Sequence, residues 1–139
     1  MHQATRTLSI ATRGRGLSEF TNDAERFVRD QDIATGLLTV FCRHTSASLT
    51  IQENADPDVC ADLERFFARL VKDGDPLFAH TQEGDDDMPA HVRTALTQTQ
   101  LTIPIVAGRM VLGTWQGLYL WEHRSAAHRR EVVLHVIGE

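Results

Sequence analysis

The segment Arg109–Glu122 most constrains the fold, because its apolar side chains would face both sides of one long β-strand. Successive strand residues point to opposite faces. A chain of 139 residues rarely has enough interior to cover two apolar sheet faces and also to pack helices. We therefore expect one face of this strand to contact another subunit. The residues of the two faces are Met110, Leu112, Leu118 and Leu120 on one and Val111, Trp115, Tyr119 and Trp121 on the other.

Other segments have the residue patterns of shorter strands. Alternating polar and apolar side chains predict an edge strand at Gln3–Thr12. Leu37–Phe41 is apolar on both faces except at Thr39, which predicts a central strand. The remaining strands are expected at Leu49–Ile51, at Leu101–Ile105 near a sheet edge because of Pro104, and at Glu131–Gly138, where His135 is expected in the core.

Three segments have apolar side chains at helical spacing. The first begins near Ser18, which can cap it, and the third covers Pro89–Thr97. The second has the clearest start, since Asp56 can cap a helix with Pro57 in its first turn, and its pattern ends at Gly74. We expect the phenylalanines of this second helix to lie in the core.

Composition limits the classes of protein and partner. At 42% hydrophobic residues, residues 1–139 are expected to form a single domain that buries its own core. The net charge of -5 argues against a general nucleic-acid binder, since phosphate contacts need clustered Lys and Arg. No apolar run approaches the roughly 18 residues of a membrane span, and no targeting segment is recognisable. Cys42 and Cys60 have no metal or redox spacing, so we expect reduced thiols and a cytoplasmic protein.

The segment from His80 to His91 concentrates ionisable side chains between two ordered segments. Its two imidazoles bracket four carboxylates, and this set of donors suits zinc, manganese or a similar divalent ion, while carboxylates alone would suit magnesium. The alternative is a solvated acidic loop in which Asp87 caps the helix near Pro89. The carboxylates are Glu83, Asp85, Asp86 and Asp87.

A third imidazole, His44, follows the predicted central strand. His44, His80 and His91 each lie where a predicted element meets a loop, so we expect the three to converge on one site, which would bind a metal ion or, when protonated, an anion. The hydroxyls of the segment His44–Ser48 could suggest a serine nucleophile, but no nucleophile-elbow glycine pattern accompanies them. His123 and His128 are expected to be solvated in a polar connection.

Trp115 and Gln116 are neighbours in the predicted long strand and would point to opposite faces. We expect Trp115 to pack in the core or between subunits. Gln116 is expected to be a polar pocket residue or a partner for a neighbouring strand.

Four motifs follow one another over nearly the whole chain: Arg-His-Thr-Ser-Ala-Ser-Leu-Thr at Arg43–Thr50, the acidic segment Glu83–His91, Gly-Thr-Trp-Gln-Gly at Gly113–Gly117, and Glu-His-Arg at Glu122–Arg124. Together they resemble the motifs of the YjbQ family, also called secondary thiamine-phosphate synthase. The resemblance implies an α+β fold, a sandwich of two β-sheets with flanking helices. It also implies a homotrimer assembled through the sheets around a threefold axis.

The resemblance further implies an activity, in which a pyrimidine pyrophosphate and a thiazole phosphate are joined and pyrophosphate is released. Such a site needs a divalent ion or arginines on the departing phosphates, and a carboxylate near the developing cation. A metal-dependent hydrolase and a ligand-binding trimer with incidental activity are the alternatives. The candidates are His44, His80 and His91 for the metal, Glu122 or Glu53 as carboxylate, and Arg43, Arg124 or Arg129 for phosphate.

Overall fold

The computed structural model describes residues 1–139 and contains eight β-strands and three α-helices in a mixed α+β fold. None of the helices is long and apolar enough to cross a membrane. In chain order the elements are β1 (His2–Ala11), β2 (Gly16–Glu19), α1 (Thr21–Asp30), β3 (Thr35–Cys42), β4 (Ala47–Glu53), α2 (Pro57–Leu70), α3 (Asp87–Leu96), β5 (Gln100–Val106), β6 (Arg109–Met110), β7 (Gln116–Glu122) and β8 (Arg129–Gly138).

The strands form two antiparallel sheets that enclose the core. One sheet has the order β1-β8-β3-β5-β6 and the other has the order β2-β7-β4. The predicted edge position of β1 and the predicted central position of β3 are therefore confirmed. Side chains on the inner faces of both sheets meet in one cluster, which α1 closes with Phe27. Inner-face members of this cluster are Leu38, Val40, Leu49, Leu118, Leu120, Leu134 and Val136.

The prediction of one long strand at Arg109–Glu122 is wrong, because this segment contributes to both sheets. β6 pairs with β5 in the larger sheet, and β7 pairs with β2 and β4 in the smaller sheet. The residues between them form a loop in which the backbone N–H of Gly113 donates to Oε1 of Gln116 over 2.7 Å. An alternating pattern predicts the spacing of side chains along a strand, but it does not reveal a change of sheet.

Both faces of β7 are covered within one chain. Leu118 and Leu120 lie in the core between the sheets, while Tyr119 and Trp121 are buried on the opposite face. The ring of Trp121 packs edge to face against Phe67 of α2, with the centroids 4.8 Å apart. This strand therefore does not require the subunit contact that the sequence predicts for it.

Apolar side chains are instead exposed on the outer face of the larger sheet. Leu37 of β3 is cross-strand neighbour to Ile137 of β8, and Phe41 lies farther along β3 on the same face with 48% of its surface exposed. His135 is on this face as well, half-buried, with Nε2 3.1 Å from Oε1 of Gln3. The prediction that His135 lies in the core is therefore wrong, because Leu134 and Val136 are the inward-facing residues beside it.

The helices differ from their predicted extents in informative ways. Helix α1 begins at Thr21, because Ser18 is part of β2 and pairs with Leu120. The predicted cap of α2 is confirmed, since Oδ1 of Asp56 accepts from the backbone N–H of Asp58 over 2.9 Å. However, α2 has no fully buried residue and Phe66 is exposed, so the prediction of core phenylalanines is wrong.

Candidate functional site

His80, Asp87 and His91 bring three potential metal-ligand atoms within 4.8 Å of one another. Asp87 and His91 lie one helical turn apart on α3, and His80 comes from the loop before it. Oδ2 of Asp87 is 2.7 Å from Nε2 of His80 and 3.2 Å from Nε2 of His91. Asp87 is buried and both imidazoles are partly exposed, so a ligand can reach the group from solvent.

The hydrogen bond at Nδ1 of His91 determines which ring nitrogen carries the hydrogen in the neutral imidazole. Nδ1 of His91 lies 2.8 Å from the backbone oxygen of Thr45. A carbonyl oxygen only accepts, so Nδ1 carries the hydrogen and Nε2 of the neutral ring carries the lone pair. That lone pair faces a carboxylate oxygen, and the two repel each other unless a proton or a metal cation lies between them. A carbonyl on the outer nitrogen is also the usual support of a metal-bound imidazole.

Arg124 holds the second oxygen of Asp87. Its Nη1 lies 2.9 Å from Oδ1, which leaves Oδ2 for the imidazoles. Burial acts to raise the pKa of Asp87, but the hydrogen bond from His80 and the positive charge of Arg124 are among the contributions that outweigh it and hold the pKa below its usual value. Asp87 is therefore ionised at neutral pH, as a metal ligand must be.

Arg124 is itself fixed by the acidic loop. Its Nε donates to Oδ2 of Asp86 over 2.9 Å, and its Nη2 donates to the backbone oxygen of Glu83 over 3.0 Å. The same Oδ2 accepts from the backbone N–H and hydroxyl of Ser125. The hydrogen bond from Arg124 holds the pKa of Asp86 well below its usual range. All three guanidinium nitrogens contact protein oxygens, so Arg124 is held in a position that orients Asp87.

Helix α3 begins at Asp87, two residues before the predicted start at Pro89. Its N-cap is Asp86, which makes no side-chain capping bond. The alternative in which Asp87 caps the helix is therefore wrong, and its carboxylate instead contacts His80, His91 and Arg124.

His44 does not join the other two imidazoles. Its Nε2 accepts from the backbone N–H of Glu131 at the start of β8, over 2.8 Å. Burial, followed by the positive charge of Arg130, lowers the pKa of His44. Within one chain the group therefore consists of His80, Asp87 and His91 without His44, because the chain after β3 turns His44 toward β8.

Glu122 is in the interior and makes the contacts of a structural carboxylate. Its two oxygens accept from Nε and Nη2 of Arg130 over 2.9 and 2.5 Å, and Oε1 also accepts from the hydroxyl of Thr12 over 2.7 Å. Burial acts to raise the pKa of Glu122, but these hydrogen bonds outweigh it and lower the pKa. Glu122 has no exposed surface, so the structure does not place it where a substrate could touch it.

Glu53 lies at the opposite end of β4 from the candidate site. His91 contacts Thr45, just before β4, whereas Glu53 is the last residue of that strand. At about 3.3 Å per residue, β4 spans roughly 20 Å. Glu53 therefore does not serve the same site within one chain.

His123 and Ser48 form a buried pair, contrary to the prediction of a solvated His123. Nε2 of His123 lies 2.8 Å from Oγ of Ser48, and both residues are fully buried. Burial, followed by the positive charge of Arg93, lowers the pKa of His123 to about 3. The pair has the spacing of a catalytic dyad but no access to solvent, so it is part of the interior. His128 is partly exposed, with Nδ1 3.5 Å from Oε1 of Glu122.

Trp115 lies in the loop before β7 and has 60% of its surface exposed, so within one chain it is not the predicted core residue. Gln116 begins β7 and lines a groove of about 850 Å³ beside α1.

A smaller cleft of about 110 Å³ adjoins the candidate metal site. His80, Phe78 and Pro89 are among the residues that line it.

Comparisons of the sequence with known proteins identify a family and its relatives. The family model described as UPF0047 protein YjbQ-like matches residues 6–139. The UPF0047 protein sll1880 of Synechocystis sp. is 58% identical over 95% of this chain and 90% of its own length. UPF0047 protein YjbQ of Escherichia coli O157:H7 is 40% identical over 96% of this chain and 97% of its own length.

Solved structures of similar proteins have the same fold as this chain. The conserved hypothetical protein TT1486 from Thermus thermophilus superposes with a TM-score of 0.81 at 34% identity, over 92% of this chain and 97% of that one. A protein of unknown function from Sulfolobus solfataricus superposes with a TM-score of 0.87 over 99% of this chain and 100% of that one, at 20% identity, which shows the fold alone.

Proposed function

This chain belongs to the YjbQ-like UPF0047 family, and we propose that it is a divalent-metal-dependent enzyme with His80, Asp87 and His91 as its metal ligands. The observation that carries the proposal is the convergence of His80, Asp87 and His91, whose ligand atoms lie within 4.8 Å of one another, with the outer nitrogen of His91 2.8 Å from the backbone oxygen of Thr45. A divalent cation placed among these atoms would be bound by two imidazoles and one carboxylate. Two imidazoles and one carboxylate suit zinc or manganese better than magnesium, which prefers oxygen ligands.

A small phosphorylated molecule is the proposed substrate. The specific reaction that the family resemblance suggests joins a pyrimidine pyrophosphate to a thiazole phosphate. The thiazole nitrogen forms the new C–N bond with the pyrimidine methylene carbon, and the C–O bond to pyrophosphate breaks with its electron pair leaving on pyrophosphate. A bound divalent ion would stabilise the negative charge on the departing oxygens. Arg124 pairs with Asp86 and Asp87, and the exposed Arg43 pairs with Glu131, whereas the exposed Arg129 contacts only the hydroxyl of Ser9 and is the better candidate for phosphate.

The proposed assembly is a homotrimer that covers the outer face of the larger sheet. Leu37, Phe41 and Ile137 are exposed on that face in the single chain, and covering them would remove apolar surface from water. Sedimentation at micromolar concentration should give the mass of three chains. Replacement of Phe41 by Lys should shift the protein to monomers, and a wild-type monomer would contradict this part of the proposal.

Activity assays with defined metals test the proposed reaction. Protein stripped with a chelator should form no thiamine phosphate or pyrophosphate, and zinc or manganese should restore the activity. His91→Gln should abolish that activity while the fold is retained, and His2→Gln, on an exposed residue far along the chain, is the matched control. Full activity in metal-free protein would contradict the proposal.

A metal-dependent hydrolase is the second candidate. Two histidines and one acidic residue also hold the zinc of hydrolases, in which a fourth position binds the water that attacks. Release of inorganic phosphate or pyrophosphate from a substrate without formation of a C–N bond would favour this candidate. A ligand-binding trimer with incidental activity would instead bind the phosphorylated compounds equally well with and without the ion.

A further inference from the structure

The turn between β1 and β2, with the sequence Arg-Gly-Arg-Gly, packs directly against the segment that follows β7. A Cβ on Gly14 would lie 2.6 Å from the backbone oxygen of Ser125, and the φ of +106° at this position also favours glycine. The next residue, Arg15, donates from Nε to the backbone oxygen of His123 over 3.0 Å. The turn is thus joined to the segment that includes Arg124 of the candidate metal site.

The other two guanidinium nitrogens of Arg15 hold the start of the loop between α2 and α3. Nη1 donates to Oδ2 of Asp73 over 2.8 Å and Nη2 donates to Oδ1 over 2.5 Å, so the pair is bidentate. Two parallel bonds of this kind fix the orientation of a carboxylate as well as its position. The side chain of Arg15 is only 20% exposed, so the pair is partly shielded from solvent.

This loop carries His80 and closes on itself immediately after Asp73. The backbone N–H of Gly74 donates to the backbone oxygen of Asp85 over 3.1 Å, which brings the two ends of the loop together. His80 lies midway between these ends, with Nε2 2.7 Å from Oδ2 of Asp87. The chain around His80 belongs to neither a helix nor a strand, so its position depends on how the ends of the loop are held.

Each end of the loop is tied to the segment after β7 by one arginine. At the far end, Arg124 of that segment donates from Nε to Oδ2 of Asp86 over 2.9 Å. At the near end, Arg15 connects Asp73 to the backbone oxygen of His123. Without Arg15 the loop would lose its near anchor, and the imidazole that it carries would move over a wider range.

We propose that Arg15 is a positioning residue, which places His80 beside Asp87 and His91 by fixing the start of its loop through Asp73. The effect of Arg15 on metal affinity rests on the proposed function, whereas the placement of His80 is a property of the metal-free chain as well. Residues that hold metal ligands in position change metal affinity by about 10- to 100-fold when they are replaced. Arg15 acts at a distance from the ligand, so we expect the lower end of this range.

Zinc affinity, measured by competition with a chelator, tests the proposal through a double-mutant cycle. Arg15→Gln and Asp73→Ala should each weaken zinc binding about tenfold, while Arg13→Gln, on an exposed arginine of the same turn, is the matched control and should not. In a His80→Gln background, where the two remaining ligands hold zinc more weakly, Arg15→Gln should cause no further loss. Wild-type affinity in Arg15→Gln or Asp73→Ala, or an equal loss in the His80→Gln background, would overturn the proposal.

NMR of the metal-free protein separates this proposal from the proposed function. The ring centroids of His80 and His91 are 5.6 Å apart, so a nuclear Overhauser effect between their ring protons should appear in wild type and Arg13→Gln and should weaken in Arg15→Gln. A wild-type protein that binds no zinc but shows this dependence on Arg15 would refute the proposed function and support the placement of His80 by Arg15. Absence of the effect from wild type, or unchanged intensity in Arg15→Gln, would overturn that placement whether or not zinc binds.

Discussion

Replacement of Glu122 by Gln should destabilise the protein strongly, although it removes only one charge. Glu122 is fully buried and accepts two hydrogen bonds from Arg130, which is itself buried. The variant leaves the guanidinium of Arg130 without a counter-charge in the interior. Breaking a buried ion pair by removing one partner costs about 3–5 kcal/mol. At about 3–4 °C per kcal/mol for a domain of this size, Tm should fall by roughly 10–20 °C.

The pH dependence gives this prediction a second readout. The pKa of Glu122 is lower in the folded protein than its ordinary value of 4.5. A lowered pKa means that the ionised carboxylate adds stability above pH 4.5, and that this contribution is lost as the pH falls through the folded-state pKa. The difference in unfolding free energy between wild type and Glu122→Gln should therefore be full at neutral pH and should shrink below pH 4.5.

Urea unfolding at several pH values, followed by circular dichroism, measures both quantities. Thr12→Val is a matched comparison, because it removes one neutral partner of the same carboxylate and should cost only about 1–2 kcal/mol. A variant Glu122→Gln with unchanged stability and no activity would refute the structural role and would make Glu122 a catalytic residue.

Three further predictions concern other residues. Gly36→Ala should destabilise the fold by more than about 3 kcal/mol in urea unfolding, because the new Cβ would lie 2.3 Å from the backbone oxygen of Ile137, and unchanged stability would show that the sheet yields there. Trp121→Ala should cost about 3–5 kcal/mol, whereas Trp115→Ala should change the stability of the single chain by less than about 0.5 kcal/mol, and equal effects would contradict the assigned burial. Asp86→Asn should weaken zinc binding in calorimetry by releasing Arg124 from its position, while Asp85→Asn, on an exposed neighbour, should not; equal affinities would show that Arg124 does not orient Asp87.

The sequence predicts the location of the candidate site better than it predicts its ligands. The concentration of imidazoles and carboxylates between His80 and His91 indicates the segment in which the cluster lies. Pro89 suggests a helix that begins after Asp87, which leaves Asp87 outside it as a cap. The helix begins at Asp87 instead, so Asp87 and His91 fall one turn apart on one face. The four-residue spacing of these two side chains is the signal that would have revealed the pair.

The errors at His44 and His123 have a common physical origin. Both residues follow a strand, and a strand pattern does not determine which way the chain turns after its last residue. His44 turns toward β8, where it accepts a hydrogen bond from Glu131, and His123 turns into the interior, where it contacts Ser48. The polar neighbours of His123 predict a solvated ring, but its surroundings come from segments distant in sequence, which include Ser48. Tertiary contacts of this kind have no local sequence signal.

The extent of the sheets is only partly predictable for a related reason. Alternation identifies β1, and the apolar run Leu37–Phe41 identifies β3, because each of these strands stays in one sheet. Between Met110 and Gln116 the alternation continues while the chain crosses from one sheet to the other. Gly113 is the one residue in that loop whose conformational freedom indicates a break.

The stoichiometry of bound divalent ion tests the proposed metal site most directly. Chelator-treated protein would be loaded with zinc or manganese and dialysed, and metal per chain would be measured for wild type, His91→Gln, Asp87→Asn and His44→Gln. We expect one ion per chain in wild type and in His44→Gln, and loss of the ion in His91→Gln and Asp87→Asn with the fold retained. Full occupancy in His91→Gln and Asp87→Asn, or loss of the ion in His44→Gln alone, would contradict the site at His80, Asp87 and His91.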